Sequence, residues 1–372
     1  IRSMKIGIMT FWETQDNYGQ ILQGFALQSY LKKLGHKPYT IKFHRVPPVK
    51  KKTLLDKIQN FNLKKFIEKR RKRYLLSKQP KNRNFNQFRS EYMKFGEIDY
   101  FSLDDLKANP PQADAYITGS DQVWNSSFKV PCEPFLLGFG RKQIKRIAYA
   151  ASFGQSNLNL ETKQLFKKHL AQFDSIGVRE EGGVKLCKEL GFSHTEWVPD
   201  PTLLFTKEEW LKLLNITKKP ESVENKVFIY TLGNSPIQDR EQYLSFLKNN
   251  KQNQVHHVTA NSELGGNFFP EVIQWVDQLG SSNFVMTNSF HGMVFCIIFN
   301  VNFVVLPNTG NSVGMNDRIN SLLQKTGLTE HQMTHFDQTK ISQLMNKKVD
   351  WTTAMKNIEV WKSETSSILG SI

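Results

Sequence analysis

The feature that most constrains this chain is alternation. Short β-favouring runs, several of them ending in glycine, serine or a charged residue, are separated by segments of helical apolar spacing, and the pattern recurs almost to the end. Lys5–Thr10 reads as a strand. A polar loop from Glu13 to Asn17 follows it, then a helix with Tyr18, Ile21, Leu22, Phe25, Leu31 and Leu34 on one side and Gly35 as its stop. Pro38–Phe43 is the next strand, so the chain opens on one βαβ unit. Ala113–Thr118, Arg146–Ala151 and Asp174–Val178 continue the strands, with helices near Leu160–Phe173 and over Glu180–Leu190.

Val198-Pro199-Asp200-Pro201 is the expected hinge, because two prolines so close together block regular structure. Beyond it the alternation resumes. Strands are expected at Lys226–Leu232, Gln254–Val258, Asn283–Thr287 and Phe303–Leu306, with helices at Gln238–Lys248, Pro270–Leu279, His291–Asn300 and Asn316–Lys325. The expectation is an α/β protein with an N-terminal domain over residues 4–198 and a C-terminal domain over 199–337. Helices over 338–372 would pack back on the first domain. Two such domains face a cleft, and ligands of open α/β sheets bind beyond the carboxyl ends of the strands.

Composition narrows the class. A chain of 372 residues with 39% hydrophobic side chains has ample material for a core. Cys132, Cys187 and Cys296 form no CxxC pair, which argues against disulfides and cysteine-bound metal. No apolar run approaches the roughly 18 residues of a membrane span, and Met4–Ile8 leads into a polar loop rather than a signal-peptide core. The expected location is the cytoplasm. Ile1-Arg2-Ser3 ahead of Met4 is read as foreign to the domain.

The formal charge of +16 is concentrated: Arg45 to Lys94 holds seventeen basic side chains against Asp56, Glu68 and Glu91. Leu54, Leu55, Ile58, Phe61, Phe66 and Ile67 recur there at roughly helical spacing, suggesting a basic amphipathic insertion over about 45–95. Its expected partner is an anionic membrane surface or the pyrophosphate of a lipid-linked acceptor. A solvated face that merely packs its apolar side is the alternative. No nucleic-acid-binding motif occurs in it, so nucleic acid is not expected.

Four polar clusters follow strands. Asn288-Ser289-Phe290-His291-Gly292 meets the first turn of a helix, where His291 can exchange protons beside free N–H groups, or can simply pack while Ser289 caps. Arg179 follows another strand, suited to bidentate capture of carboxylate or phosphate or to an ordinary ion pair. Gly119-Ser120-Asp121-Gln122-Val123-Trp124-Asn125 is rich in groups that bond or stack on a sugar, or is a capped turn. Asp16-Asn17-Tyr18-Gly19-Gln20 permits close backbone approach but is not GxGxxG, so a dinucleotide has little support. Arg318 opens a later helix and either reaches the cleft or pairs with Asp317. Gln332 stands between His331 and His335 where a zinc protease needs glutamate, and His256 and His257 point to opposite faces, so no metal site is expected.

Taken in order, Asn17–Gln20, Gly119–Asn125, Ser175–Glu180, Val198–Pro201 and Thr287–Gly292 resemble the polysaccharide pyruvyl transferase family, over the chain from Met4 to about Leu323. The resemblance implies two Rossmann-like domains in a glycosyltransferase-B-like arrangement. It also implies phosphoenolpyruvate as donor co-substrate, with no other cofactor, and a sugar diol of a cell-surface polysaccharide precursor as acceptor. His291 would be the acid and base, and Arg179, Ser289, Phe290 and Arg318 would face the donor. Asn17, Tyr18, Gly19, Gln20, Ser120, Asp121, Trp124 and Asn125 would face acceptor or donor. Characterised members often carry arginine where this chain has Ser289; Arg318 is one candidate to compensate. The alternatives carried forward are a nucleotide-sugar glycosyltransferase of the same architecture and a non-catalytic binder of anionic surfaces.

Overall fold

A computed structural model of the chain describes residues 3–45, 63–79, 83–128, 130–217, 225–233 and 236–372. The first half builds a parallel sheet of seven strands in the order β3-β2-β1-β4-β5-β6-β7. These are β1 (Lys5–Met9), β2 (Lys37–Phe43), β3 (Phe95–Tyr100), β4 (Ala115–Thr118), β5 (Lys145–Ala151), β6 (Ser175–Val178) and β7 (Glu196–Trp197). The second sheet has four parallel strands in the order β11-β10-β8-β9: β8 (Lys226–Leu232), β9 (Gln254–Ala260), β10 (Phe284–Thr287) and β11 (Asn302–Val305). Strand order reverses between β1 and β4 in one sheet and between β8 and β10 in the other. At such switch points successive crossovers leave to opposite sides and open a crevice.

Two helices fill the space between the sheets. Tyr18–Lys33 buries residues around most of its circumference, Gln23 and Gln28 included, rather than one stripe. In Phe290–Phe299 all ten residues are buried, as expected of a helix apolar all round. One apolar cluster runs through both halves, joining Ile6, Ile8 and Ile117 to Phe228, Tyr230 and Phe303. Tyr18 stacks on Trp275 at 5.1 Å and donates its hydroxyl to the Pro270 carbonyl at 2.6 Å. The C-terminal helix Trp351–Glu364 crosses to the first sheet, where the Trp361 indole N–H donates to the Trp197 carbonyl at 2.7 Å.

Two expectations need correction. The segment Val198–Pro201 is not a free hinge: Asp200 is fully buried, and Pro201–Leu204 forms a tight turn against the helix Tyr18–Lys33. The basic stretch is not all insertion. The helix Phe85–Tyr92 contributes Phe85 and Phe88 to the shared core, and β3 pairs with β2 at the sheet edge. Arg89 is buried there, donating to the Trp12 and Thr14 carbonyls at 3.0 and 2.7 Å. The apolar positions from Leu54 to Phe61 lie outside the described residues.

Candidate active site

The loops after β1 and β4 and the start of the helix Phe290–Phe299 converge on a cavity of about 410 Å³. Asn17, Gln20, Asp121, Asn125, Ser289, Phe290, His291 and Arg318 line it, together with Glu13, Asp16, Arg45 and Gln122. The helix starts are capped locally: Asn17 Oδ1 accepts from the Gln20 N–H at 3.1 Å, and Ser289 Oγ from the Gly292 N–H at 3.2 Å.

Beneath the cavity lies a buried ionic cluster centred on Asp200. One carboxylate oxygen accepts from Arg179 Nη1 at 2.8 Å and from the Ser120 hydroxyl and His291 Nε2, both at 3.3 Å. The other accepts the Thr202 amide at 3.0 Å and hydroxyl at 2.7 Å. Burial works against the charge on Asp200, but His291, Arg179 and these hydrogen bonds outweigh it and hold the carboxyl well below its usual range. Asp121 is likewise lowered: burial opposes ionisation, while Arg179, His291 and Arg318 favour it. An ionised Asp200 can only accept, so Nε2 of His291 carries a proton and Nδ1 is the nitrogen left to exchange one.

Two guanidinium groups flank Phe290, Arg179 at 4.6 Å and Arg318 at 5.6 Å from the ring centroid. Their surroundings differ. Arg179 is 2% exposed, paired with Asp200 and with Asp121 at 3.3 Å, and absent from the cavity wall. Arg318 borders the cavity, and its buried Nε has no hydrogen-bond partner among the described residues. Burial, then the neighbouring Arg179, lowers Arg318 to about 10, which still leaves it charged at neutral pH. A third cation, Arg45, reaches the cavity from the end of β2, with its guanidinium 4.0 Å from the Phe11 ring centroid and 3.4 Å from Gln20 Oε1.

Several expected site residues prove to be support. Tyr18 is buried between the sheets. Trp124 is fully buried in a cluster with Phe153, Phe166 and Phe173, its indole N–H spent on the Phe135 carbonyl at 3.2 Å. Ser120 is buried under the cavity, bonded to Gln23 at 2.8 Å and to Asp200. Gly19 sits against Nδ1, Cβ and Cγ of His291, where any Cβ of its own would collide. Arg179, expected to hold the donor, spends Nη1 on Asp200 and Nη2 on Asp121 while its buried Nε, like that of Arg318, has no partner among the described residues, and it lies behind the cavity wall against Phe290. Sequence reading missed Arg45, submerged in the basic run, and Asp200, hidden in what looked like a hinge. The prolines around Asp200 were a visible signal that its position is fixed.

Residues 17–310 match the polysaccharide pyruvyl transferase family. The chain belongs to that family. The match takes in Asn17, Asp121, Arg179, Asp200 and His291, whereas Glu13, Asp16, Met315 and Arg318 of the cavity wall lie outside the matched residues. A search among curated proteins finds no match. Among solved structures, the chain is similar to an α-glucosyltransferase in complex with UDP and a 13-mer DNA, at 10% identity over 99% of this chain and 100% of that one, with a TM-score of 0.52. It is also similar to a Listeria monocytogenes protein assigned as a UDP-N-acetylglucosamine 2-epimerase, at 11% identity over 96% of this chain and 91% of that one, TM-score 0.52. These similarities show the fold, two Rossmann-like domains in the glycosyltransferase-B arrangement.

Proposed function

We propose that this polysaccharide pyruvyl transferase takes its pyruvyl group from phosphoenolpyruvate and leaves it as a cyclic ketal on a diol of a cell-surface saccharide precursor. The single observation that carries the donor assignment is the buried, unpartnered Nε of Arg318 at the cavity wall beside His291. Phosphoenolpyruvate brings a carboxylate and a phosphate, and Arg318, Arg45 and the capped start of the helix Phe290–Phe299 supply matching cationic and N–H groups. Arg45 and Arg318 together supply the positive charge that an arginine at the Ser289 position often supplies in characterised members of the family.

In this reading His291 delivers a proton from Nδ1 to C3 of phosphoenolpyruvate as an acceptor hydroxyl attacks C2. Phosphate then departs with the C2–O bond pair, neutralised by Arg318, and the second hydroxyl closes the ring on C2. The two hydroxyl protons end on His291 and on phosphate, and C3 becomes a methyl group. Asp16 lines the same cavity and, held by the Asn261 N–H at 2.9 Å, offers a carboxylate that can accept from an acceptor hydroxyl and so position it. The products are one phosphate and one ketal.

The test is incubation with phosphoenolpyruvate and a panel of saccharide diols, free and lipid-linked, with phosphate release and product mass followed together. Phosphate appearing in step with a ketal-modified saccharide is the expected result. Release of a nucleoside diphosphate from a sugar nucleotide, with no phosphate from phosphoenolpyruvate on any acceptor, would replace this reading by glycosyl transfer.

A further inference from the structure

The helix Leu63–Ser77 stands apart from the described cores. Every residue from 66 to 75 is exposed, and Ile67, Tyr74 and Leu75 are 56%, 59% and 41% exposed. Their exposure rules out that these side chains merely pack against the domain. The helix spans 15 residues, with seven basic side chains against Glu68 alone. Such a helix is poorly supported in water, where an isolated segment of about 12–15 residues is marginal even with the best helix formers. Lys65, Lys69 and Arg73 follow one another at four-residue spacing, and like charges so placed weaken a helix further.

What relieves this strain can be read from the side chains. A negative surface removes the repulsion. Ile67 and Tyr74 are seven residues apart and therefore share one stripe, with Arg70, Arg71 and Lys78 interleaved along it and Leu75 beside it. The Lys78 ammonium lies 4.9 Å from the Tyr74 ring centroid. Aliphatic and aromatic groups ringed by long-stemmed cations match the boundary between phospholipid headgroups and acyl chains. A nucleic-acid backbone would meet the cations and leave Ile67 and Leu75 in water.

We propose that Leu63–Ser77 docks on anionic phospholipid, lying in the plane of the interface with Ile67, Tyr74 and Leu75 at the acyl boundary and its lysines and arginines among the phosphates. Its position relates docking to the cavity. Gln79, just past the helix, donates to the Glu263 carbonyl at 3.4 Å, and Asn261, two residues before Glu263, lines the cavity. The end of the helix therefore lies beside a loop of the cavity wall, but the docking does not depend on the transfer reading.

Co-sedimentation of the full chain with vesicles of phosphatidylcholine, with and without phosphatidylglycerol, tests it. Recovery is expected with the anionic vesicles alone and falls with added salt. The variant Ile67→Ser/Tyr74→Ser/Leu75→Ser and the variant Lys69→Glu/Lys72→Glu are each expected to lose at least about tenfold in affinity. Both should keep the parent's circular dichroism and thermal transition, since every altered side chain is exposed. Equal recovery with both vesicle types, or a triple-serine variant that sediments like the parent, overturns the proposal. So does tight binding of an oligonucleotide that the triple-serine variant retains while vesicles recover nothing; that outcome makes the helix a nucleic-acid element.

Discussion

A Cβ on Gly19 would collide with Nδ1, Cβ and Cγ of His291. The two residues come from the first turns of the two helices that meet between the sheets, so the absence of one side chain sets the position of the other. Gly19→Ala is therefore expected to push His291 from Asp200 and the cavity while disturbing little else. Misplacement of about 1 Å costs about a hundredfold in rate. Turnover should fall by that order with a modest change in melting temperature, and an unchanged rate would show that His291 has room to move.

Asp200 binds Arg179 and His291 at once, so Asp200→Asn leaves a buried guanidinium without its strongest partner. Breaking a buried pair from one side costs about 3–5 kcal/mol, which urea unfolding at neutral pH would measure. The same residue shapes the acid limb. Asp200 and Asp121 titrate lower in the folded protein than their ordinary value of 3.8. Their stabilisation is therefore complete above the unfolded value of about 3.9 and drains away as pH falls through the lower folded values. Asp200→Asn should be less stable at neutral pH and lose less on acidification than the parent.

Among the described residues, Arg318 and Arg45 are the guanidinium groups that border the cavity. Arg318→Ala and Arg45→Ala are each expected to raise the KM for phosphoenolpyruvate, by about ten- to a hundredfold, the worth of a charge-assisted hydrogen bond. Isothermal titration with phosphoenolpyruvate gives the same comparison without turnover. A parent-like affinity in both variants would move the donor elsewhere.

Tyr18 separates support from contact. Its hydroxyl is spent on Pro270, with Arg83 Nη1 also donating to it at 3.3 Å, and burial pushes its pKa well above the ordinary phenol value. Tyr18→Phe should cost about 1 kcal/mol in stability and leave both KM values near those of the parent. A selective rise in an acceptor KM would return Tyr18 to the substrate.

How much of this was legible in the sequence follows from what each residue needs. The strands ending at Thr118 and Thr287 announced themselves because a buried parallel strand must be apolar and its exit is polar, and those exits led to Asp121, Ser289 and His291; Arg318 was found only as a cation at the opening of a helix. β3 escaped because an edge strand open to solvent need not alternate; Glu97, Ile98 and Asp99 are exposed in succession. Tyr18 and Trp124 have chemistry suited to a sugar, and only three-dimensional packing shows where it is spent. Arg45 counts in the sequence only as the first charge of the basic stretch, and nothing between it and Lys50 marks it as turning inward.

The apolar body joining Ile8 to Tyr230 has a consequence for how the protein works. Two lobes that share an interior are not jaws. Substrates must enter through rearrangement at the rim, by side chains such as Arg45 and Met315, rather than by parting of the halves. Severed between the sheets, each piece would carry half of an interior into water. The protein should therefore melt in one step, and what looks in sequence like a pair of modules behaves in solution as one indivisible object.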